Sequence, residues 1–137
     1  MKYNKTTNVA VSEHFNTSEF HCEGNGCCNI TLISEELIEK LEILRELVHS
    51  FTKKEQLLII NSGYRCNNHN KKVGGALFSQ HVRGNAADVR LPDGLTVDQF
   101  AALAKEAGFT GIGKYNNRIH VDVRSTILRK VVSWDNR

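Results

Sequence analysis

"SQHVRGNAADV", residues 79–89, is the stretch on which the reading of this chain turns. It sets His81 and Asp88 seven positions apart, and neither side chain is of a type needed to build an apolar core. "AADVRL" (86–91) reads as a short strand with Pro92-Asp93-Gly94 as the turn behind it. Asp88 then lies near the start of that strand and His81 in the loop before it, with Gly84, Ala86 and Ala87 small enough to let backbone close around an ion. Downstream, "RIHVDVR" (118–124) reads as another strand, and alternation puts His120 and Asp122 on one face of it. His81, Asp88 and His120 form a nitrogen–oxygen–nitrogen set of the kind zinc accepts, the fourth position being left for water in a catalytic site. On spacing alone this competes with a plainer reading, a structural domain in which His81 and Asp88 cap a turn.

The segments between these motifs suggest an α+β chain. In "SEELIEKLEILRELVHSF" (34–51) the apolar positions 37, 38, 41, 44, 47, 48 and 51 follow a helix face, with Ser34 as cap and Glu35 and Glu36 in the first turn. "QLLIIN" (56–61) predicts a short buried strand, and "NNHNKKVGG" (67–75) one or two helical turns. "TVDQFAALAKEAGF" (96–109) predicts a helix with Thr96 and Gln99 as a capping box and Gly108 as its stop. "GIGKY" (111–115) and "RIHVDVR" flank Asn116-Asn117, a pair that tolerates positive φ and suits a tight hairpin. Trp134 and the tail "VVSWDNR" (131–137) are expected to close the core rather than line a cleft. The architecture expected is a small antiparallel or mixed sheet with flanking helices and the metal site on the sheet.

Composition narrows the function classes. The chain has 137 residues, 18 basic and 15 acidic, for a formal charge of +3. That excess is small and scattered, which argues against nucleic acid as a partner. No run reaches the length of a membrane span, so membrane insertion is not expected. The opening "MKYNKTTNVAVSEHF" lacks the apolar centre of a signal peptide. The expectation is one domain over 1–137, monomeric and cytoplasmic as synthesised, with a cysteine-rich segment at about 11–30.

"SGYRCNNHNKKVGG" (62–75), "SQHVRGNAADV" and "RIHVDVR", in that order, resemble the zinc D-alanyl-D-alanine carboxypeptidase family of peptidoglycan peptidases, and more narrowly its small branch found in bacteria and their phages. "VSEHFNTSEFHC" (11–22) resembles the N-terminal segment of that branch, so the likeness runs from about residue 11 to about 124. The resemblance implies the core fold shared with the hedgehog signalling domain and the vancomycin-resistance dipeptidases. It implies His81, Asp88 and His120 as ligands of a catalytic Zn2+, and Arg65 as the group holding a substrate carbonyl or carboxylate. Ser79 and Gln80 would shape the loop or hydrogen-bond the substrate. The reaction implied is hydrolysis of amide bonds in peptidoglycan stem peptides or cross-bridges, by a D-amino-acid-specific endopeptidase or a D,D-carboxypeptidase. A phage lysin would reach the wall by holin-type release. The chain departs from better-known branches at Asn117, where they carry an acid three positions before the last histidine. Asp122 is the substitute candidate for general base, its alternative role being to orient a ligand or Arg124. A rival reading is a zinc-containing module that binds wall peptide without catalysis.

Three of the four cysteines fall in "HCEGNGCCN" (21–29), and the fourth, Cys66, follows "SGYR". Cys22, Cys28, Cys66 and His69 make a candidate second, structural metal set, with Cys27 as an alternative donor. A disulfide from the loop to Cys66 and free thiols are the competing readings. His14, His21 and His49 are read as ordinary residues.

Overall fold

The longest apolar face builds the longest element. Helix α1 (Glu35–Thr52) starts at Ser34, whose side chain accepts from the Leu37 N–H, and ends at Lys53 in the left-handed conformation. It buries Leu37, Ile38, Leu41, Leu44 and Val48, and each such side chain contributes about 1.5–3 kcal/mol when fully removed from water. Phe51 in its last turn is exposed, whereas Arg45 is buried and reaches Glu46 and Glu55. The structure is a computed structural model describing residues 1–76 and 79–137. It adds helices α2 (Asn67–Lys72) and α3 (Val97–Ala107). Thr96 and Gln99 form the reciprocal cap of α3, and Gly108 closes it at φ 104°.

The strands among the described residues are β1 (Lys2–Asn4), β2 (Ile30–Leu32), β3 (Ile60–Ser62), β4 (Ala86–Arg90), β5 (Gly111–Lys114), β6 (Arg118–Asp122) and β7 (Val132–Asp135). β1 and β2 pair as a two-stranded antiparallel sheet. The rest form a five-stranded sheet in the order β3-β4-β6-β5-β7, antiparallel except for the parallel β5–β7 pair. The fold is therefore α+β with a mixed sheet. α1 packs on α3, and α3 lies on β5 and β6. Alternation along the central strands sends Ala87, Val89, Ile112, Ile119 and Val121 into the core with the helices. Ala86, Asp88, His120 and Asp122 consequently share the other face. Of the two alanines before Asp88, Ala86 is thus on the ligand's side and Ala87 belongs to the core.

Three expectations are corrected. "QLLIIN" supplies only the start of a strand: pairing covers Ile60–Ser62, Arg90 N donates to Ile59 O, and Leu57 is exposed. The partner strand ends there and turns at Pro92, so residues 56–58 have nothing to pair with. Gln56 instead bonds the Asp93 backbone through both ends of its amide. The Asn116-Asn117 turn joins β5 to β6 without positive φ at either asparagine. It is closed by Tyr115 N donating to Arg118 O, with the Arg118 guanidinium 4.2 Å over the Tyr115 ring. Finally, Trp134 lies on β7, half-buried and outside the core.

Gly84 ends the 3-10 turn that carries His81. Its φ is 74°, and a Cβ there would stand 2.5 Å from the Leu32 carbonyl oxygen. Gly84→Ala should therefore lower unfolding stability by about 1–3 kcal/mol, seen as an earlier denaturation midpoint with an unchanged slope.

Candidate metal centre

The site is built from one row of the sheet. In register, Ser62 faces Asp88, Asp88 faces His120, His120 faces Gly113, and Gly113 faces Trp134. A single transverse line through β3, β4, β6, β5 and β7 thus carries the aspartate, one histidine and an indole. His81 is added from the 3-10 turn Gln80–Arg83 just before β4. Ser79 caps that turn by accepting from His81 N at 3.2 Å. Gln80 accepts from the Asn85 side chain at 3.3 Å. Both residues hold the loop in shape.

Hydrogen bonds choose which nitrogen of each imidazole faces the aspartate. His81 Nδ1 lies 2.7 Å from the Gly63 carbonyl oxygen, which can only accept, so Nδ1 carries the proton and Nε2 is free. His120 Nε2 lies 2.7 Å from Asp122 Oδ2, which leaves Nδ1 free. Both free nitrogens, His81 Nε2 and His120 Nδ1, stand 3.3 Å from Asp88 Oδ1. A tetrahedral zinc with ligands about 2.0–2.1 Å away sets neighbouring donors about 3.3 Å apart. The three donor atoms lie within 4.8 Å of one another, and all three residues are buried. Each histidine also has its remote N–H anchored by an oxygen, as metal-binding imidazoles require. The donor set fits zinc.

The surrounding charges hold Asp88 in its binding form, the carboxylate. Burial opposes ionisation of Asp88, but hydrogen bonds and charge from His120 and His81 outweigh it and hold its carboxyl far below the usual carboxylate range. Its second oxygen accepts from Arg65 Nη2 at 3.3 Å, while Arg65 Nη1 reaches Asn70 Oδ1 at 3.4 Å. Arg65 is thus beside the ligands, its side chain 17% exposed. It is placed by a shift in register between Ile60 and Ser62 on β3, after which Gly63 and Arg65 bond His81 through backbone groups.

Asp122 has no exposed side-chain surface. Oδ2 takes His120 Nε2–H and Arg124 Nη2–H, and Oδ1 takes the Arg124 backbone N–H and Nε–H. Burial again resists ionisation, and the bonds from Arg124 and His120 overcome it, so the carboxyl stays well below its usual range. A carboxylate this fully engaged is poorly suited to accept a proton from a reacting water, which favours the second of its two expected roles, orienting a ligand and Arg124, over that of general base. His120 is pushed the other way: burial disfavours its charge, but Asp122 and Asp88 raise its pKa above the ordinary value.

Two glycines make the row possible. A Cβ on Gly111 would strike the Asp122 carboxylate, and one on Gly113 would strike the Trp134 indole. Without those side chains the Trp134 ring reaches across β5 to within 5.1 Å of the His120 ring, centroid to centroid, and its Nε1–H points at Tyr115 Oη at 3.4 Å. The two-residue spacing of "GIG", opposite His120 and Asp122 of β6, was the available signal for this wall. At the other expected set, Cys22, Cys28 and Cys66 converge with Cys27 as the fourth member. His69 is not in that group and contributes its backbone N–H to Cys66 Sγ at 3.5 Å. Cys27 therefore stands where His69 was expected.

Two histidines and a carboxylate around a shared point, beside an arginine and on the face of a mixed sheet opposite its apolar core, make a candidate metal site of the kind hydrolases use. A family model described as Peptidase M15 matches residues 13–123, and the chain belongs to that family of zinc peptidases, which includes D-alanyl-D-alanine carboxypeptidases. Among curated proteins none matches the chain. Family membership makes it a zinc metallopeptidase of the kind that acts on peptidoglycan peptides. Among the described residues no helix is long and apolar enough to cross a membrane.

Asp122→Asn removes the charge behind His120 while keeping the side chain's shape. Zinc affinity, measured by competition with a chromogenic chelator, should fall about 10–100-fold. An unchanged affinity would show that the Asp122–His120 bond does not tune the ligand.

Proposed function

We propose that the chain hydrolyses amide bonds adjoining D-amino acids in peptidoglycan, as an endopeptidase of the stem peptide or its cross-bridge in a lytic role. Release of a terminal D-alanine is the alternative within the same chemistry. The observation that carries the reading is the convergence of His81 Nε2, Asp88 Oδ1 and His120 Nδ1, with the Arg65 guanidinium on the other oxygen of Asp88. Zinc held by those three donors supplies Lewis-acid chemistry at the scissile carbonyl.

The chain's own groups orient the ligands and stabilise charge. The Gly63 carbonyl and the Asp122 carboxylate each keep a proton on the remote imidazole nitrogen, which fixes both rings in the ligating tautomer. Arg65 spends one N–H on Asp88 and one on Asn70, and its other N–H groups, without a partner among the described residues, can pair with a developing oxyanion or a substrate carboxylate. Asp122 orients His120 and takes no proton itself. Trp134 gives the site an apolar wall on the β7 side. Acting as a lysin, the enzyme would leave the cytoplasm through a holin-type pore.

Purified walls with direct and with bridged cross-links test this, with released amines counted and products identified by mass. New amino termini inside the stem or bridge support the endopeptidase, and free D-alanine alone supports the carboxypeptidase. Arg65→Ala should keep its zinc and lose about 10²–10³ in kcat. A zinc-loaded native chain that binds these walls and releases no amine from any of them overturns the enzyme reading in favour of a binding module.

A further inference from the structure

The loop "CEGNGCCN", residues 22–29, has no apolar side chain other than its cysteines and no regular secondary structure. Such a segment has little hydrophobic surface with which to offset the entropy of being ordered. Yet it is wrapped tightly. Lys5 Nζ donates to Gly24 O at 2.7 Å, Lys5 N donates to Asn29 O at 2.7 Å, and a Cβ on Gly24 would collide with Cys27 Sγ. Gly26, at φ 73°, reverses the chain just before Cys27. What the loop closes on is sulfur.

The sulfurs of Cys22, Cys27, Cys28 and Cys66 all lie within 4.8 Å of one another. Cys22 Sγ is 3.7 Å from Cys27 Sγ and 3.9 Å from Cys66 Sγ, and Cys27 and Cys66 are 3.1 Å apart. All four are free thiols. Four thiolates about 2.3 Å from a tetrahedral zinc stand about 3.8 Å apart, close to the first two separations. A disulfide would use two of the four and leave the other pair without a role. Cys22 and Cys66 are buried against Tyr64, and Cys27 and Cys28, only half-buried, pack onto that cluster from the polar loop.

We propose that Cys22, Cys27, Cys28 and Cys66 bind a second divalent metal of the zinc class as four thiolates, in a closed and purely structural site. Each thiol gives its proton to solvent as the metal enters. The His69 backbone N–H, already on Cys66 Sγ, stabilises one of the resulting charges. Burial resists ionisation of Cys66, but that N–H and the neighbouring thiols bring its pKa down to about 7, whereas burial pushes Cys28 up to about 12. Cys66 directly follows Arg65, whose backbone N–H donates to His81 O. The second metal therefore ties the N-terminal segment to the strand end that carries Arg65, and it needs no peptidase activity to do so.

The test uses the full-length native chain, reduced and loaded with zinc or with Co(II). Elemental analysis should give two zinc ions for the native chain, one for His81→Ala/Asp88→Ala and one for Cys22→Ser/Cys66→Ser. Co(II) should produce intense thiolate-to-metal charge-transfer absorption that survives His81→Ala/Asp88→Ala and vanishes with the cysteine changes. Because the cysteine variant can fail to fold, the native zinc protein is also titrated with a mercurial, which should release one zinc as four thiols react. Four reduced thiols that titrate without releasing metal, or a Co(II) protein with no thiolate band, overturn the site. These readouts do not involve amine release, so they separate failure of the second metal from failure of the peptidase reading.

Discussion

The antiparallel register of β4 on β6 is the constraint on which the rest of the structure depends. It places Asp88 across from His120, and the same pairing places Ala87 across from Val121 and Val89 across from Ile119 on the opposite face. Slipping by one residue would exchange the two faces. Asp88, His120 and Asp122 would then enter the apolar layer under α3, and Val89, Ile119 and Val121 would leave it. Burial of each of those aliphatic side chains is worth about 1.5–3 kcal/mol, and an unpaired carboxylate in their place would cost several more. The hydrophobic core thus selects the one alignment in which the metal ligands meet, although no core residue touches the metal.

The ligand face is organised by a second rule, that every buried charge is answered. Asp88 lies between two imidazoles and the Arg65 guanidinium, and Asp122 between His120 and Arg124. Neither carboxylate nor either ligand histidine has an orphaned polar atom among the described residues. The remote nitrogens of both imidazoles and both oxygens of Asp122 are thus held by protein groups alone, which favours a preorganised site over one assembled by the metal.

Much of this is legible in the sequence, for identifiable reasons. α1 and α3 follow from long periodic apolar faces with unambiguous caps at Ser34 and Thr96, and β4 and β6 from alternation that separates Val89, Ile119 and Val121 from Asp88 and His120. What escapes is whatever depends on a partner far along the chain. "QLLIIN" has strand composition, but only the part opposite β4 pairs. Nothing in "VVSWDNR" announces that Trp134 crosses to His120, because the permission comes from a side chain that is missing at Gly113. Cys27 is only an alternative donor beside His69 in the sequence, and it is the turn at Gly26 that brings its sulfur to the other three.

Trp134 is also the chain's only tryptophan. With its indole against the imidazole of His120 and 5.4 Å from the Arg124 guanidinium, it is a fluorophore built into the wall of the site. Indole emission is quenched by a neighbouring protonated imidazole and responds to a change in local field. The intrinsic fluorescence of the unlabelled protein should therefore respond to an ion entering at His120, with no competing tryptophan elsewhere in the chain.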